Sequence, residues 1–450
     1  MAVKSKLKKI IPEKIISFYH LSLAALAGFY CGWPSKKMIT IGITGTKGKT
    51  SAANFIWSVL NAAGYKTGLI GTANIRIGEI EMLNKYHMTM PGRFILQKLL
   101  KQMLDAGCQY CIVETTSQGI KQWRHFGIFY DIAVFTNLSP EHLEAHDGSF
   151  EKYKKAKSAL FAALAKSGRK IIGGKEIKKV IIANYDNPHS DYYLNFPANK
   201  KITYGINDRA NFVAKNIRST EKGLEFFVNY NRYEINILGS FNVYNALPAI
   251  IIGSIFDIPN NKIQKGLKDL NVIAGRMEKI EEGQDFLVFV DYAHEKEGMN
   301  AILQTARELA SGVNGKIIVL LGAEGGGRDK VKRPILGKIA GKYADFMVIS
   351  NVDPYEDDPK EIIEDIAKSA ENSGKIRGKN LFLIEDRREV IKTALSLANK
   401  NDVVLITGKG AEQSIIIGGR RYPWDDRVVV REELNKLNKN ATNYTSANNI

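Results

Sequence analysis

The sequence predicts an α/β protein in which a phosphate-loop domain with a mostly parallel sheet is followed by a C-terminal, Rossmann-like α/β domain. Three observations carry this expectation. Short β-branched runs alternate with stretches long enough for crossover helices, a glycine-rich loop follows the first run directly, and a fresh alternating series opens at Phe286. The 450 residues suit two or three domains at ~150 residues each. Apolar residues make up 44% and charged residues 25%, which excludes disordered, collagenous and multi-span membrane chains. Lys plus Arg exceed Asp plus Glu by 64 − 47 = 17, a balance that favours anionic partners such as nucleotides, nucleic acid or an acidic membrane surface. Three cysteines, Cys31, Cys108 and Cys111, are too few for a disulfide framework and point to a reducing compartment. The Cys108–Cys111 pair leads into a strand-like run instead of opening a helix, so it reads as two core cysteines.

At the N-terminus, Lys4, Lys6, Lys8, Lys9 and Lys14 precede an uncharged stretch from Ile15 to Trp33. A signal peptide would need a small-residue cleavage site, and the apolar part from Leu21 to Trp33 is short for a span of ~20 residues. A basic, apolar helical segment over 1–37, packed on the body or in peripheral contact with a membrane, fits better. Met38–Thr44, Tyr110–Glu114, Ile132–Phe135 and Val180–Ala183 are the buried parallel strands of a central domain, 38–272, with Ser51–Ala63 and Phe94–Ala106 as crossover helices. Ala210–Leu238 alternates about Asn231–Arg232 and predicts an antiparallel ribbon. A boundary near Ile273 opens a second domain, 273–434, with strands at Ile317–Leu321, Phe346–Ser350 and Val403–Thr407. Residues 435–450, rich in Asn, Thr and Ser, read as a flexible tail.

The strongest chemical signal is Gly45-Thr46-Lys47-Gly48-Lys49-Thr50-Ser51 between a strand and a helix. Backbone N–H groups of such a loop cradle phosphates, Lys49 can reach the β- and γ-phosphates, and Thr50 can ligate Mg²⁺. The loop departs from the general pattern, because Ile43 stands where the first glycine would.

These residues resemble the Mur ligases, whose phosphate loop has the short form Gly-Thr-x-Gly-Lys-Thr. Further motifs appear in the family's order: Thr136-Asn137-Leu138 with Glu141-His142-Leu143-Glu144, Ala156-Lys157-Ser158-Ala159-Leu160-Phe161, Gly239 to Ala246, Gly275-Arg276-Met277-Glu278, Asp291-Tyr292-Ala293-His294 and Gly408-Lys409-Gly410-Ala411-Glu412. The resemblance runs from Met38 to Leu434 and points to the branch that adds the third amino acid of the peptidoglycan stem. It implies a cytoplasmic, ATP-dependent ligase that activates a carboxylate as an acyl phosphate for attack by an amine. UDP-N-acetylmuramoyl-dipeptide and an amino acid would be its partners, with no nucleic acid.

By the same resemblance, Glu114 joins Thr50 on the Mg²⁺ of ATP, and His142 is a ligand of a second Mg²⁺. Lys157 matches the lysine that CO₂ carbamylates into an anionic ligand. Asn245 matches a residue near the adenine, while Arg276 and Asp291 match those that contact phosphate and ribose. Thr89, Thr116, Gln122 and Arg124 match acceptor-binding positions, although Met90 and Gln118 replace a family Thr and His. Arg333, Gly408 and Glu412 match positions that read the incoming amino acid. The family's Asp-Asn-Pro-Arg for diaminopimelate falls on Val352-Asp353-Pro354-Tyr355, and Tyr355 cannot clamp a second carboxylate as Arg does. The acids Asp353, Glu356, Asp357 and Asp358 therefore favour a basic amino acid such as lysine, with diaminopimelate still open. Full-length members of the family carry a UDP-binding domain ahead of the loop, whereas 44 residues precede Gly45 here. Two other readings stay open: a folylpolyglutamate-synthase-like ligase, which shares this architecture, and a basic P-loop NTPase acting on nucleic acid.

Overall fold

A computed structural model describes residues 12–86, 88–141, 143–220, 222–327 and 330–447, with side chains as far as Lys439. The chain forms two compact units, Met1–Asn236 with Phe241–Asn271, and Ile237–Ser240 with Val272–Ile450.

In the first unit the run at Met38–Thr44 is a strand over Ile39–Thr44, buried on both faces. It lies in parallel between Tyr110–Glu114 and Ile132–Phe135. Eleven described strands form this sheet. Thr67–Ile70 continues it in parallel beyond Tyr110–Glu114, and the antiparallel strands Asn74–Ile77 and Ile80–Leu83 close that edge. On the other side come Val180–Asn184 and Lys200–Gly205, then the ribbon Phe212–Ser219, Leu224–Val228 and Asn231–Ile235. The ribbon turns at Asn229–Tyr230, not at the expected Asn231–Arg232. Val228 pairs with Asn231, and both turn residues take positive φ, 49° and 65°, the handedness that matches strand twist.

Helices cover both faces of the parallel part. Arg93–Asp105 and Phe150–Lys166 bury Leu96, Leu100, Leu160 and Phe161 with Cys111, Val113, Ala133 and Phe135 of the strands. Lys49–Ala62 packs against Phe241–Ile255 and Asn260–Asp269, where Gly266 lets the last come so close that a Cβ there would lie 2.5 Å from the Val59 Cα. All three cysteines are buried and free. A helix over Glu13–Cys31 buries Ala24, Ala27, Gly28 and Cys31 and packs beside Arg93–Asp105. Among the described residues it is the one helix long and apolar enough to cross a membrane by length and composition. The lysines at positions 4, 6, 8 and 9 lie outside the described residues.

The second unit carries a sheet ordered Glu278–Ile280, Leu287–Asp291, Val403–Thr407, Ile317–Ala323, Phe346–Asn351 and Leu381–Leu383, parallel except for its first strand. Val288, Val290, Ile318, Leu320, Val404 and Ile406 form its core with Val390 and Ile391 of Arg387–Ser396. The stretch expected as a flexible tail instead continues a helix, Asp426–Ala447. Leu434 is buried, Leu437 packs on the same core, and Asn438 Nδ2 donates to the Glu282 carbonyl at 2.7 Å. Composition understates such a segment, because a few well-placed anchors suffice to hold a helix.

Candidate active site

The strands Ile39–Thr44, Tyr110–Glu114 and Ile132–Phe135 end side by side, and the site grows from their C-terminal ends, as is usual in parallel sheets. Gly45 and Gly48 hold positive φ, 153° and 80°. A Cβ on Gly45 would lie 2.0 Å from Thr136 Oγ1, and one on Gly48 would lie 2.2 Å from Asn245 Oδ1. Only glycine fits either place, which leaves the backbone free to meet phosphates. The loop is pinned from the neighbouring strand: Thr46 N–H donates to the Asn137 carbonyl and Lys47 N–H to Asn137 Oδ1, both at 2.8 Å. Lys47 pairs with Glu141 at 2.6 Å, and Lys49 Nζ donates to the carbonyls of Gly45 and Thr46, each at 2.9 Å. Thr50 and Ser51 open the following helix and are buried. Asn245, on Phe241–Ile255, stands against Gly48 and donates to Asn242 Oδ1 at 2.8 Å.

Glu114 is fully buried, and its oxygens converge on this loop. Thr50 Oγ1 donates to Oε2 at 3.1 Å, Thr72 Oγ1 to the same oxygen at 2.9 Å, and Thr72 N–H to Oε1 at 2.9 Å. A carboxylate beside a hydroxyl is a hard-oxygen donor set of the kind Mg²⁺ prefers. Residue His142 lies outside the described residues.

Lys157 sits on the helix Phe150–Lys166 with 2% of its surface exposed. Its Nζ donates to the Gly45 carbonyl at 2.8 Å and lies 4.5 Å from the Tyr153 ring centroid. Burial pushes its pKa well below the ordinary lysine value, and the charges of Lys49 and Lys47 push the same way against the pull of Glu141. The amine is thereby biased toward its neutral, nucleophilic form.

The acceptor candidates gather beside this centre. Thr89 Oγ1 lies 2.9 Å from Thr72 Oγ1, and Arg124 donates through Nη1 to the Met90 carbonyl and through Nη2 to Gln122 Oε1 at 2.6 Å. Thr116 caps the helix Ser117–Lys121, its hydroxyl accepting from Gly119 N–H at 3.1 Å. Of the two positions that depart from the family pattern, Gln118 is exposed, while Met90 is buried against Gly119.

In the second unit, Asp291 accepts from the Met277 and Ala293 N–H groups at 2.7 Å each, and the Arg276 guanidinium lies 4.6 Å from the Tyr292 ring centroid. Gly275 and Gly410 meet backbone to backbone, since a Cβ on Gly275 would lie 2.1 Å from the Ala411 nitrogen. Lys409 is fully buried between Asp353, with both oxygens at 3.0 Å, and Glu412 at 2.6 Å. Burial raises the pKa of Glu412 although Lys409 opposes it. Arg333, also fully buried, pairs with Asp365 at 2.9 Å and lies 3.6 Å from Asp357. Gly408 holds a φ of 107°, and a Cβ there would meet Val352 at 2.7 Å. Tyr355, after Pro354, takes a φ of 55°, donates its N–H to the Ile416 carbonyl at 3.2 Å and places its ring beside Gly326. Asp358 caps the helix Pro359–Glu371, and Glu356 lies beside Gly419, so the acidic run is divided among several tasks.

Residues 43–253 match the Mur ligase middle domain, and residues 275–410 match the Mur ligase, glutamate ligase domain. A UDP-N-acetylmuramyl-tripeptide synthetase of Roseiflexus sp. (strain RS-1) is 36% identical over 95% of this chain and 84% of its own length. This chain belongs to the Mur ligase family. A UDP-N-acetylmuramoyl-L-alanyl-D-glutamate–2,6-diaminopimelate ligase of Caldanaerobacter subterraneus subsp. tengcongensis is also 36% identical, over 97% of this Mur ligase and 89% of that protein. A solved structure of a ligase of that name matches with a TM-score of 0.58 at 28% identity, covering 89% of this chain and 79% of the other. A Mycobacterium tuberculosis folylpolyglutamate synthase, at TM-score 0.65 and 18% identity over 86% of this chain and 92% of its own, shares the fold. As a member of the family, the chain is an ATP-dependent amide ligase.

Two groups in this Mur ligase escape the sequence reading. His146 is buried in the turn Leu143–His146, with Nε2 3.1 Å from Ser117 Oγ, at the mouth of the Ser117–Lys121 helix. Arg93 opens the helix Arg93–Asp105 and donates through Nε to the Gln122 carbonyl at 3.0 Å, and its charge lowers the pKa of Arg124 after burial has done so. Two guanidiniums converging on Gln122 make that corner attractive to an anionic acceptor. Arg93 follows Pro91-Gly92 at the head of a strongly amphipathic stretch, so its place at a helix N-terminus was available as a signal.

Proposed function

We propose that this ligase works in the cytoplasm, adding the third amino acid to UDP-N-acetylmuramoyl-L-alanyl-D-glutamate with ATP as the phosphoryl donor. The observation that carries the reading is the 36% identity, over 95% or more of the chain, to relatives whose names specify that step. The loop 45–51 holds the phosphates through its N–H groups, with Lys49 supplying charge and Asn245 lying beside it for the base. Thr50 and Glu114 would hold Mg²⁺, which when bound neutralises charge on the transferring phosphoryl group. Arg276 and Asp291, by their match to the family's phosphate- and ribose-contacting positions, would be further nucleotide-binding residues.

Lys157 contributes as a carbamate. Its neutral amine attacks the carbon of CO₂, a nitrogen–carbon bond forms and one proton leaves to solvent, so that a buried amine becomes an anion able to support a second metal with His142. The Gly45 carbonyl, which accepts a hydrogen bond from Lys157 Nζ, ties this group to the phosphate loop. Thr89, Thr116, Gln122 and Arg124 orient the acceptor, whose terminal carboxylate is the group activated.

Arg333, Asp353, Pro354, Tyr355, Gly408 and Glu412 receive the amino acid. Arg333 is already offset by Asp365 and Asp357, and Lys409 by Asp353 and Glu412, so neither is a spare cation for a second side-chain carboxylate. Burying such a carboxylate without a cation costs several kcal/mol, which favours lysine or a similar basic amino acid. The relatives' names favour diaminopimelate as the second reading. The ratio of kcat/KM for the two amino acids, in the wild type and in Tyr355→Arg, separates them. Lysine preference is expected in the wild type, with a shift of roughly tenfold toward diaminopimelate in the variant. A wild type that strongly prefers diaminopimelate, unchanged by the arginine, would show that another cation reads that group.

A further inference from the structure

We infer that the outward face of the helix Glu13–Cys31 is a docking surface for an anionic lipid bilayer, on which the protein lies without spanning it. Ile15, Phe18, Tyr19, Leu26, Phe29 and Tyr30 are all exposed, Phe18 at 71%, Phe29 at 78% and Tyr30 at 74%. Their spacing of three, four and seven residues puts them on one stripe. The opposite face, Ala24, Ala27, Gly28 and Cys31, is buried on the first unit, so a largely apolar helix is covered on one side only.

Its attachment to the body favours lying on a bilayer over spanning it. Trp33 lies so close over Gly28 that a Cβ there would meet its ring at 2.1 Å, and Trp123 Nε1 donates to Ser17 Oγ at 2.7 Å. A helix so held can press its free face into the headgroup boundary while the small-residue face stays on the protein. Phe and Tyr at both ends of the stripe suit that boundary, where aromatic rings gather.

Charge selects the occupant. Lys14 stands at the start of the helix and the exposed Lys36 and Lys37 follow its end. Of the nearby acids, Asp105 is paired with Lys101 at 3.0 Å and Glu13 lies 3.6 Å from Lys121. Four further lysines precede Lys14 in the sequence. Cations flanking an apolar stripe complement an anionic bilayer, whereas a second copy of the same face would bring like charges together.

Co-sedimentation of the full chain with phosphatidylglycerol-containing and with pure phosphatidylcholine vesicles tests this. Roughly tenfold more protein should pellet with the anionic vesicles, and added salt should release it. The triple variant Phe18→Ser, Phe29→Ser and Tyr30→Ser, whose side chains are exposed, should keep its circular dichroism and melting temperature yet stay in solution. Wild-type protein that remains in solution at low salt would overturn the proposal, as would binding that survives the triple substitution. Concentration-dependent self-association without vesicles, lost in the same variant, would assign the face to a second copy instead and likewise overturn it.

Discussion

Replacing Lys157 by methionine is expected to abolish amide formation and at the same time to stabilise the fold. A buried amine beside Lys49 and Lys47 is unfavourable as a cation, and an apolar side chain of similar length removes that cost. The Gly45 carbonyl keeps Lys49 as a donor, so no acceptor is stranded. A gain on the order of 1–3 kcal/mol, a few degrees in melting temperature, is expected in CO₂-free buffer. The sign with pH follows from the depressed native pKa. The unfolded lysine binds a proton that the native one resists, so wild-type stability rises with pH between the depressed value and the ordinary ~10.4, and the advantage of methionine shrinks over that window. Activity of Lys157→Ala should in turn be partly restored by short carboxylic acids that supply the missing anion. A fully active Lys157→Ala enzyme would refute the role, and a methionine variant less stable than wild type would refute the electrostatic account.

The second large effect concerns Lys49. Lys49→Ala should lower ADP release by roughly a thousandfold, the scale of losing a positioned charge from a transferring phosphoryl group. Its ammonium bonds to two carbonyls of its own loop, so the melting temperature should move little. Near-normal turnover in this variant would remove the nucleotide from the loop.

Much of this was legible before any coordinates. Tyr110–Glu114, Ile132–Phe135 and Val403–Thr407 are strands with the bounds that their β-branched runs imply, because parallel strands buried on both faces leave an uninterrupted apolar signal. The edge strands Asn74–Ile77 and Ile80–Leu83 escaped, being four residues long with Asn74, Arg76 and Glu81 among the apolar positions. The ribbon turn was misplaced because Asn231 is a strong turn former and Tyr230 a poor one, yet strand register put the left-handed pair at Asn229 and Tyr230.

At the candidate site the loop announced itself, whereas Lys157 stood out only through the family pattern, because by charge alone it is one more lysine among Lys152, Lys154 and Lys155. Its helix gives a signal that charge counting hides. Tyr153, Lys157, Leu160, Phe161 and Leu164 fall on one stripe, so a lysine occupies a core position. What no spacing shows is partnership. That Arg333 and Lys409 are each held by two acids is a fact of tertiary structure that the sequence alone does not reveal.

The most direct test of the central claim is ADP release by the purified full chain, with omission of each substrate in turn and the product weighed by mass spectrometry. ADP release is expected only when UDP-N-acetylmuramoyl-L-alanyl-D-glutamate and a diamino acid are both present, with a product heavier than the acceptor by one amino-acid residue. Release that requires neither substrate, or that runs equally well with a folate acceptor and glutamate, would contradict it.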